Sequence, residues 1–326
     1  MGSPFVLMER RNWNMSDPQW MEIRLEADNE SAEAISDLLQ RYGHQGVLIE
    51  QTEVDGDFWE DNIPTSQTLV VKAYFPVNAD TPDIQQQLRD ALRYMNMMWT
   101  MPEPEFRLVD EEDWAEAWKV HYKPLRIGKH VYIKPKWIKT EDLSDLQPDD
   151  MLISLDPGMA FGTGTHPSTQ LCLVAAEELM ENRAGLSVVD LGCGSGILSI
   201  AAAKMRASHV LALDIDPIAA KATTENASEN GVADQIIAQE GSLDTILGGA
   251  RRFDIALVNI LAKVIMHMCE ENLGQILRPG GVAVFGGIIH DQADDVETAL
   301  RQTGLEPYRR RPAGDWIVIE ARRPLT

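Results

Sequence analysis

The chain has 326 residues, more than one compact core commonly holds and enough for two domains of ordinary size. With 44% hydrophobic and 25% charged residues, its composition is that of a folded globular protein and excludes a disordered or fibrous chain. Twenty-nine basic against 51 acidic residues leave a formal net charge of −22, which argues against DNA or any large phosphate surface as a partner and favours a basic one.

Residues 1–19 carry no periodic pattern and are read as a natural leader or a tag, outside the fold in either case. From Trp20, WMEIRLEA alternates apolar and polar residues and predicts a strand; SAEAISDLLQRYG sets Ala34, Ile35, Leu38 and Leu39 at helical spacing before Gly43 and predicts a helix. There follow GVLIEQT, an acidic polar stretch to Ser66, TLVVKAYFP, a helix from Thr81-Pro82 through IQQQLRDALRYMNMMW, and EFRLVD. Strand, helix, strand, strand, helix, strand is the split βαβ order of a ferredoxin-like domain, four antiparallel strands with two helices on one face. Residues 1–110 hold eight basic and twenty acidic residues, so this small domain is either an acidic docking module or simply well solvated.

EEDWAEAW continues helically, and Lys119 to Lys139 then holds seven basic residues and no acid. The charge reversal marks residues 111–150 as a linker, read as a solvated connector with Ile, Val and Tyr packed beneath it. Trp114, Trp118 and Trp137 are expected as core anchors, and the methionines from Met95 to Met101 as packing. Across residues 151–326 the pattern changes to short apolar runs alternating with helices: SVVDLG, HVLALD, QIIAQ, FDIALVN and GVAVFGG. Five such units predict a doubly wound, mainly parallel sheet, with LEPYRRR and DWIVIEA as a closing hairpin at its edge.

The chemistry concentrates in this second half. In VVDLGCGSGILSIAAAK a buried strand ends at Asp190, and Gly192, Gly194 and Gly196 turn the chain into an Ala-rich helix. Glycines suit unusual dihedrals and the close approach of a ligand. A dinucleotide fingerprint needs its third glycine one residue later, where Ile197 stands, which disfavours NAD. Asp214 ends the next strand eighteen residues after Gly196, placed to accept hydrogen bonds from ribose hydroxyls in either nucleotide class, while Asp216, before Pro217, is read as a helix cap. Gly241 and Ser242 follow the third strand, where an adenine should sit. Asn259 ends the fourth, where open α/β sheets bind ligands. Pro167 opens a helix whose first turn, with Ser168 and Thr169, offers N–H groups to a carboxylate; His166 beside it is read as a structural hydrogen-bonding residue rather than a general base.

The D-x-G-x-G-x-G form resembles motif I of the class I S-adenosylmethionine-dependent methyltransferases, and Asn259 with Ile260-Leu261-Ala262 resembles their Asn-Pro-Pro-Tyr motif without its stacking tyrosine, which counsels against a nucleobase substrate. LDPGMAFGTGTHPSTQLCL, VVDLGCGSGILSIAA, LDIDPIA and NILA, in that order, are similar to the ribosomal protein L11 methyltransferase family (PrmA), and EEDWAEAWKVHYKPLRIG resembles its linker. The resemblance implies a Rossmann-like class I methyltransferase fold with an N-terminal ferredoxin-like substrate-recognition domain. It also implies S-adenosylmethionine as cofactor, and lysine side chains and the N-terminal amine of a basic large-subunit ribosomal protein, L11, as substrate. Carried over residue by residue, it makes Asn259 and Ile260 catalytic and Thr165, Thr169, Asp190, Gly192, Gly194, Gly196, Asp214, Ser242 and Asn259 cofactor-binding.

Three scattered cysteines, Cys172, Cys193 and Cys269, make neither a disulfide framework nor a zinc site, and no apolar run reaches a membrane span; the expectation is a cytoplasmic enzyme without metal or membrane contact. Other classes stay open on the residues alone: a nicotinamide oxidoreductase, a catalytically silent scaffold, or a methyltransferase acting on another protein or a small molecule.

Overall fold

The computed structural model describes residues 19–27, 29–40, 47–51, 69–78, 81–96, 103–110, 123–155 and 164–325. The chain divides into two compact units, one comprising Met1–Glu50 and Val70–His121, the other Gln51–Leu69 and Tyr122–Thr326. Residues 1–18, Trp114, Trp118, Met97, Met98 and Met101 fall outside the described residues, while Gln19, expected before the fold, opens the first strand.

The first unit runs β1 (Gln19–Ala27), α1 (Asn29–Gln40), β2 (Val47–Gln51), β3 (Leu69–Pro76), α2 (Thr81–Met95) and β4 (Glu105–Asp110). Its sheet order is β2-β3-β1-β4, with β1 and β4 antiparallel, as the split βαβ pattern predicts. The alternation in β1 buries Ile23 and Leu25, that in β3 buries Val71, Ala73 and Phe75, and the helices bury Ile35, Leu39, Leu88 and Leu92. One face of each element is thereby removed from water, which is where a two-layer domain draws its stability.

The second unit opens with β5 (Leu125–Ile127), β6 (Val131–Pro135) and β7 (Met151–Leu155). They form a three-stranded sheet, β5 and β6 antiparallel and β6 and β7 parallel. Ile127, Val131, Tyr132 and Ile133 are buried, as expected of the Ile, Val and Tyr beneath a connector, but residues 125–127 and 131–135 form strands where a solvated connector was expected, and Lys134 is only 7% exposed. The Lys134 ammonium is satisfied by the Ile138 carbonyl at 2.7 Å and the Ser154 hydroxyl at 3.2 Å, so a basic-looking run hides a strand. Trp137, in the turn after β6, is half-buried and is not part of the core.

There follow α3 (Pro167–Met180), β8 (Ser187–Leu191), α4 (Ile197–Lys204), β9 (His209–Asp214), α5 (Pro217–Glu229), β10 (Ile236–Glu240), a short α6 (Asp244–Leu247), β11 (Phe253–Asn259), α7 (Ala262–Glu270), β12 (Leu277–Ile289), α8 (Ala293–Gln302), β13 (Glu306–Ala313) and β14 (Trp316–Arg322). All five predicted parallel strands, β8 to β12, are present in a seven-stranded sheet of order β10-β9-β8-β11-β12-β14-β13. The predicted closing hairpin is β13 and β14, with β14 inserted antiparallel between β12 and β13. Central strands are apolar on both faces, all five residues of β8 being buried, because helices cover both sides. One core packs α3, α4 and the β5–β7 sheet against the main sheet; the other packs α7 and α8. Strand order reverses between β8 and β11, and at such a switch point loops leaving the carboxyl ends of neighbouring strands diverge and leave a crevice.

Candidate active site

The carboxyl ends of the central strands lie level. Asp190 of β8 pairs with Ala212 of β9 and Leu257 of β11, and Asn259 at the end of β11 faces Gly286 of β12. The turn after β8 is built from left-handed glycines, with φ of 76° at Gly192, 53° at Gly194 and 81° at Gly196. Side chains are excluded by neighbours as well as by dihedrals: a Cβ on Gly192 would collide with the Ile260 side chain, and one on Gly196 with Thr223. Gly192 N–H donates to the Leu213 carbonyl at 2.8 Å, the Thr223 hydroxyl to the Gly194 carbonyl at 3.0 Å, and the Asn226 amide to the Ser195 carbonyl at 2.9 Å. The loop is thus held by α5 from behind while its front faces the crevice.

Two carboxylates flank this turn. Asp214 accepts Gly194 N–H on Oδ2 at 2.9 Å and Asp216 N–H on Oδ1 at 3.0 Å, leaving a lone pair free on each oxygen. Asp216 caps α5 as predicted, accepting Ile218 N–H at 2.8 Å. Asp190 is fully buried; its Oδ2 accepts from the Ser199 hydroxyl at 2.6 Å, while its Oδ1 has no hydrogen-bond partner among the described residues. Burial, and then the nearby charge of Asp214, push its carboxyl up to about 7. An orphaned buried oxygen is costly and marks a position suited to a donor supplied from outside the chain.

Across the switch point, Asn259 is gripped by the first turn of α3. Its Oδ1 accepts the Ser168 hydroxyl, its Nδ2 donates to the Thr169 hydroxyl at 3.1 Å, and the Ser168 oxygen in turn accepts Gly287 N–H at 2.6 Å. Two glycines make this possible. A Cβ on Gly286 would strike Cys172, Asn259 and Ser168, and one on Gly287, whose φ is 75°, would strike the Ile260 carbonyl.

The sequence-predicted residues therefore fall into two adjoining groups: Asp190, Gly192, Gly194, Gly196 and Asp214 around the glycine turn, and Asn259, Ile260 and Thr169 beside it, joined where Gly192 meets Ile260. Thr169 is fully buried behind Asn259. Thr165 lies exposed at the edge of residues 156–163, which are outside the described set. Ser242 is reached through Gly241, whose N–H donates to the Asp214 carbonyl at 2.8 Å, and its own N–H is taken by the Thr245 hydroxyl at 3.2 Å. The α3 terminus differs from a set of free donors: His166 Nδ1 already accepts Ser168 N–H at 3.3 Å. Its imidazole packs edge-on against Trp316, with ring centroids 4.4 Å apart, and burial lowers its pKa to about 4, so it is neutral at pH 7 and serves as a cap. Sequence reasoning missed the hydroxyl of Ser168, the buried Ser199 and the Gly286-Gly287 pair; of these only the paired glycines ending an otherwise apolar strand left a signal. Among the described residues no group of three or more His, Cys, Asp or Glu could hold a metal ion, and no helix is long and apolar enough to cross a membrane.

The seven-stranded order with its inserted antiparallel last strand, and the glycine turn and acid at the ends of its first two strands, define a class I methyltransferase. A family model described as Ribosomal protein L11 methyltransferase (PrmA) matches residues 19–324, and the chain belongs to that family. The ribosomal protein L11 methyltransferase of Herpetosiphon aurantiacus is 40% identical over 327 residues, covering 94% of this chain and all of the relative, and that of Chloroflexus aurantiacus is 37% identical over 334 residues, covering 95% and 100%. The crystal structure of ribosomal protein L11 methylase from Lactobacillus delbrueckii subsp. bulgaricus aligns with a TM-score of 0.56 at 35% identity, over 62% of this chain and 100% of that one.

Proposed function

We propose that the chain transfers methyl groups from S-adenosylmethionine to amino groups of ribosomal protein L11, lysine side chains and the N-terminal amine, in the cytoplasm where ribosomes are made. The observation that carries this reading is the juxtaposition, in a member of this family, of the Asn259-Ile260 acceptor pair with the glycine turn of Asp190 to Gly196.

The residues present fit the cofactor. Asp214 has a spare lone pair on each oxygen for ribose hydroxyls, the glycine turn admits close approach, the buried Asp190 Oδ1 has no partner among the described residues and is open to a donor, and Ser242 follows the strand paired with that of Asp214. Thr165 is the remaining candidate contact. When bound, S-adenosylmethionine supplies an electrophilic methyl group on a sulfonium. The chain's own part is to bind, orient and desolvate. A lysine amine has a reference pKa of about 10.4 and is mostly protonated at neutral pH. Transfer out of water beside a cation lowers that value. Asn259 Oδ1, through its second lone pair, and the Ile260 carbonyl then accept from the neutral amine and direct its lone pair, so that acceleration comes from orientation rather than from a strong base.

The acidic N-terminal unit fits recognition of a basic substrate, with eight basic against twenty acidic residues over positions 1–110. Incubating the protein with isotopically labelled S-adenosylmethionine and a bacterial lysate, and identifying the labelled product by mass spectrometry, tests the proposal. Label on L11 is expected. Label confined to other proteins or to small molecules would overturn the substrate assignment.

A further inference from the structure

We propose that Asp190 carries a proton in the ligand-free protein and releases it to solvent when S-adenosylmethionine binds, so that the cofactor is taken up in exchange for a proton. The inference rests on the reading of the crevice at the glycine turn as the cofactor site.

A carboxyl group taken wholly out of water keeps its charge only where donors or a cation replace the lost hydration; otherwise it stays neutral by holding its proton. Asp190, on β8, is 0% exposed, and its surroundings replace little. Ser199 of α4 donates its hydroxyl to Oδ2 at 2.6 Å, while Oδ1 has no hydrogen-bond partner among the described residues. The titratable groups that face it bring no positive charge. Asp214 of the neighbouring β9 is a second carboxylate, and Cys172 of α3 and Cys193 of the glycine turn are thiols whose pKa values burial and Asp190 itself push up, so both are neutral. On its other side, β11 contributes Leu257. Two carboxylates on adjacent buried strands do not both ionise readily. Asp214 has the better claim to its charge, with Gly194 N–H at 2.9 Å on one oxygen and Asp216 N–H at 3.0 Å on the other. The proton therefore falls to Asp190, whose carboxyl is pushed up to about 7 by burial and then by the charge of Asp214.

Two positive charges, a sulfonium and an α-ammonium, come with the bound cofactor, at a turn that begins two residues after Asp190. A cation in so dry a place favours the ionised carboxylate. The O–H bond of the Asp190 carboxyl breaks, its electron pair stays on the oxygen, and the proton passes to water. By linkage, cofactor affinity rises with pH wherever the free protein holds that proton and the complex does not.

Calorimetric titration with S-adenosylmethionine in buffers of different ionisation enthalpy counts the protons exchanged. At pH 7 wild type should release about one-third to one-half of a proton per cofactor bound. The cofactor's own α-amino group, with a reference pKa of about 7.7 to 8.0, acts with the opposite sign, since binding it as a cation takes a proton up. The ratio of wild-type affinity to that of Asp190→Asn, in which the ligand's titration cancels, should rise about tenfold from pH 6 to pH 8. Ser199→Ala, which removes a donor favouring the ionised carboxyl, should move that rise to higher pH. S-adenosylhomocysteine keeps the ammonium without the sulfonium charge, and methylthioadenosine has neither. Release equal to that of S-adenosylmethionine with the first assigns the exchange to the ammonium, loss of release assigns it to the sulfonium, and methylthioadenosine should release none. If Asp190→Asn does not fold, the proton counts on wild type with the three ligands and the pH shift in Ser199→Ala decide. Failure of S-adenosylmethionine to bind defeats the cofactor reading. Binding without net release, an affinity ratio independent of pH, or undiminished release with methylthioadenosine defeats this inference alone.

Discussion

Replacing Asp214 with alanine removes the carboxylate that orients the Gly194 and Asp216 N–H groups and, in the proposed function, holds the ribose. Affinity for S-adenosylmethionine should weaken by about 1.5 to 3 kcal/mol, the range for hydrogen bonds to a charged group. Calorimetry on a folded variant measures it, and unchanged affinity would refute the assignment. Asp190 offers a complementary test in the ligand-free protein. Its carboxyl is pushed up to about 7, so its contribution to stability is complete below the ordinary carboxylate range and is lost as pH rises through about 7. Wild type should therefore lose ground to Asp190→Asn between about pH 4 and pH 7, read from the difference in Tm; a flat difference would contradict the burial argument. Asp190, Asp214 and Asn259 were legible in the sequence because each ends an apolar run where a sheet exposes its loops. Ser168 was not, since its partner Asn259 lies 91 residues away and nothing local marks the pairing.

Helix α3 and strand β12 carry the element-scale consequences. Arg311, hydrogen-bonded to Glu178, holds that carboxyl down to about 2 and ties α3 to β13. A depressed acid stabilises the fold above its ordinary pKa of 4.5 and loses that contribution as pH falls toward about 2. Wild type should exceed Glu178→Gln in stability at pH 6 and converge with it on acidification, the margin staying within about 1 kcal/mol because the Glu178 side chain is 39% exposed and screened. Thermal melts from pH 6 to pH 3 measure it, and a margin independent of pH would argue against the ion pair. In β12, Gly287→Ala meets both a left-handed φ of 75° and the Ile260 carbonyl. It should cost about 1 to 3 kcal/mol in denaturant unfolding and reduce turnover with it, since relief of the clash displaces Ile260. A stable and fully active variant would contradict the packing described. The parallel strands were legible from their apolar runs, and the closing hairpin from the shortage of helix between LEPYRRR and DWIVIEA. Strands β5 and β6 were not, because basic residues interleave with Ile127, Val131 and Ile133 and nothing local marks Lys134 as buried.

At the scale of the molecule, a net charge of −22 and the acidic first 110 residues predict that charge attraction assists encounter with a basic substrate. The kcat/KM for L11 should fall as salt rises, the screening length shrinking from about 10 Å at 0.1 M to about 3 Å at 1 M, with kcat little changed. A profile insensitive to salt would assign the acidic surface to solvation alone. The central claim, that this chain methylates amines of L11 through Asn259 and Ile260, is tested most directly by the intact mass and peptide map of purified L11 after incubation with either wild type or Asn259→Ala, each at an S-adenosylmethionine concentration that saturates it. The account predicts methyl increments on lysine side chains or the N-terminal amine with wild type and little or none with Asn259→Ala. Unmodified L11 with wild type, or equal modification by both proteins, would contradict it.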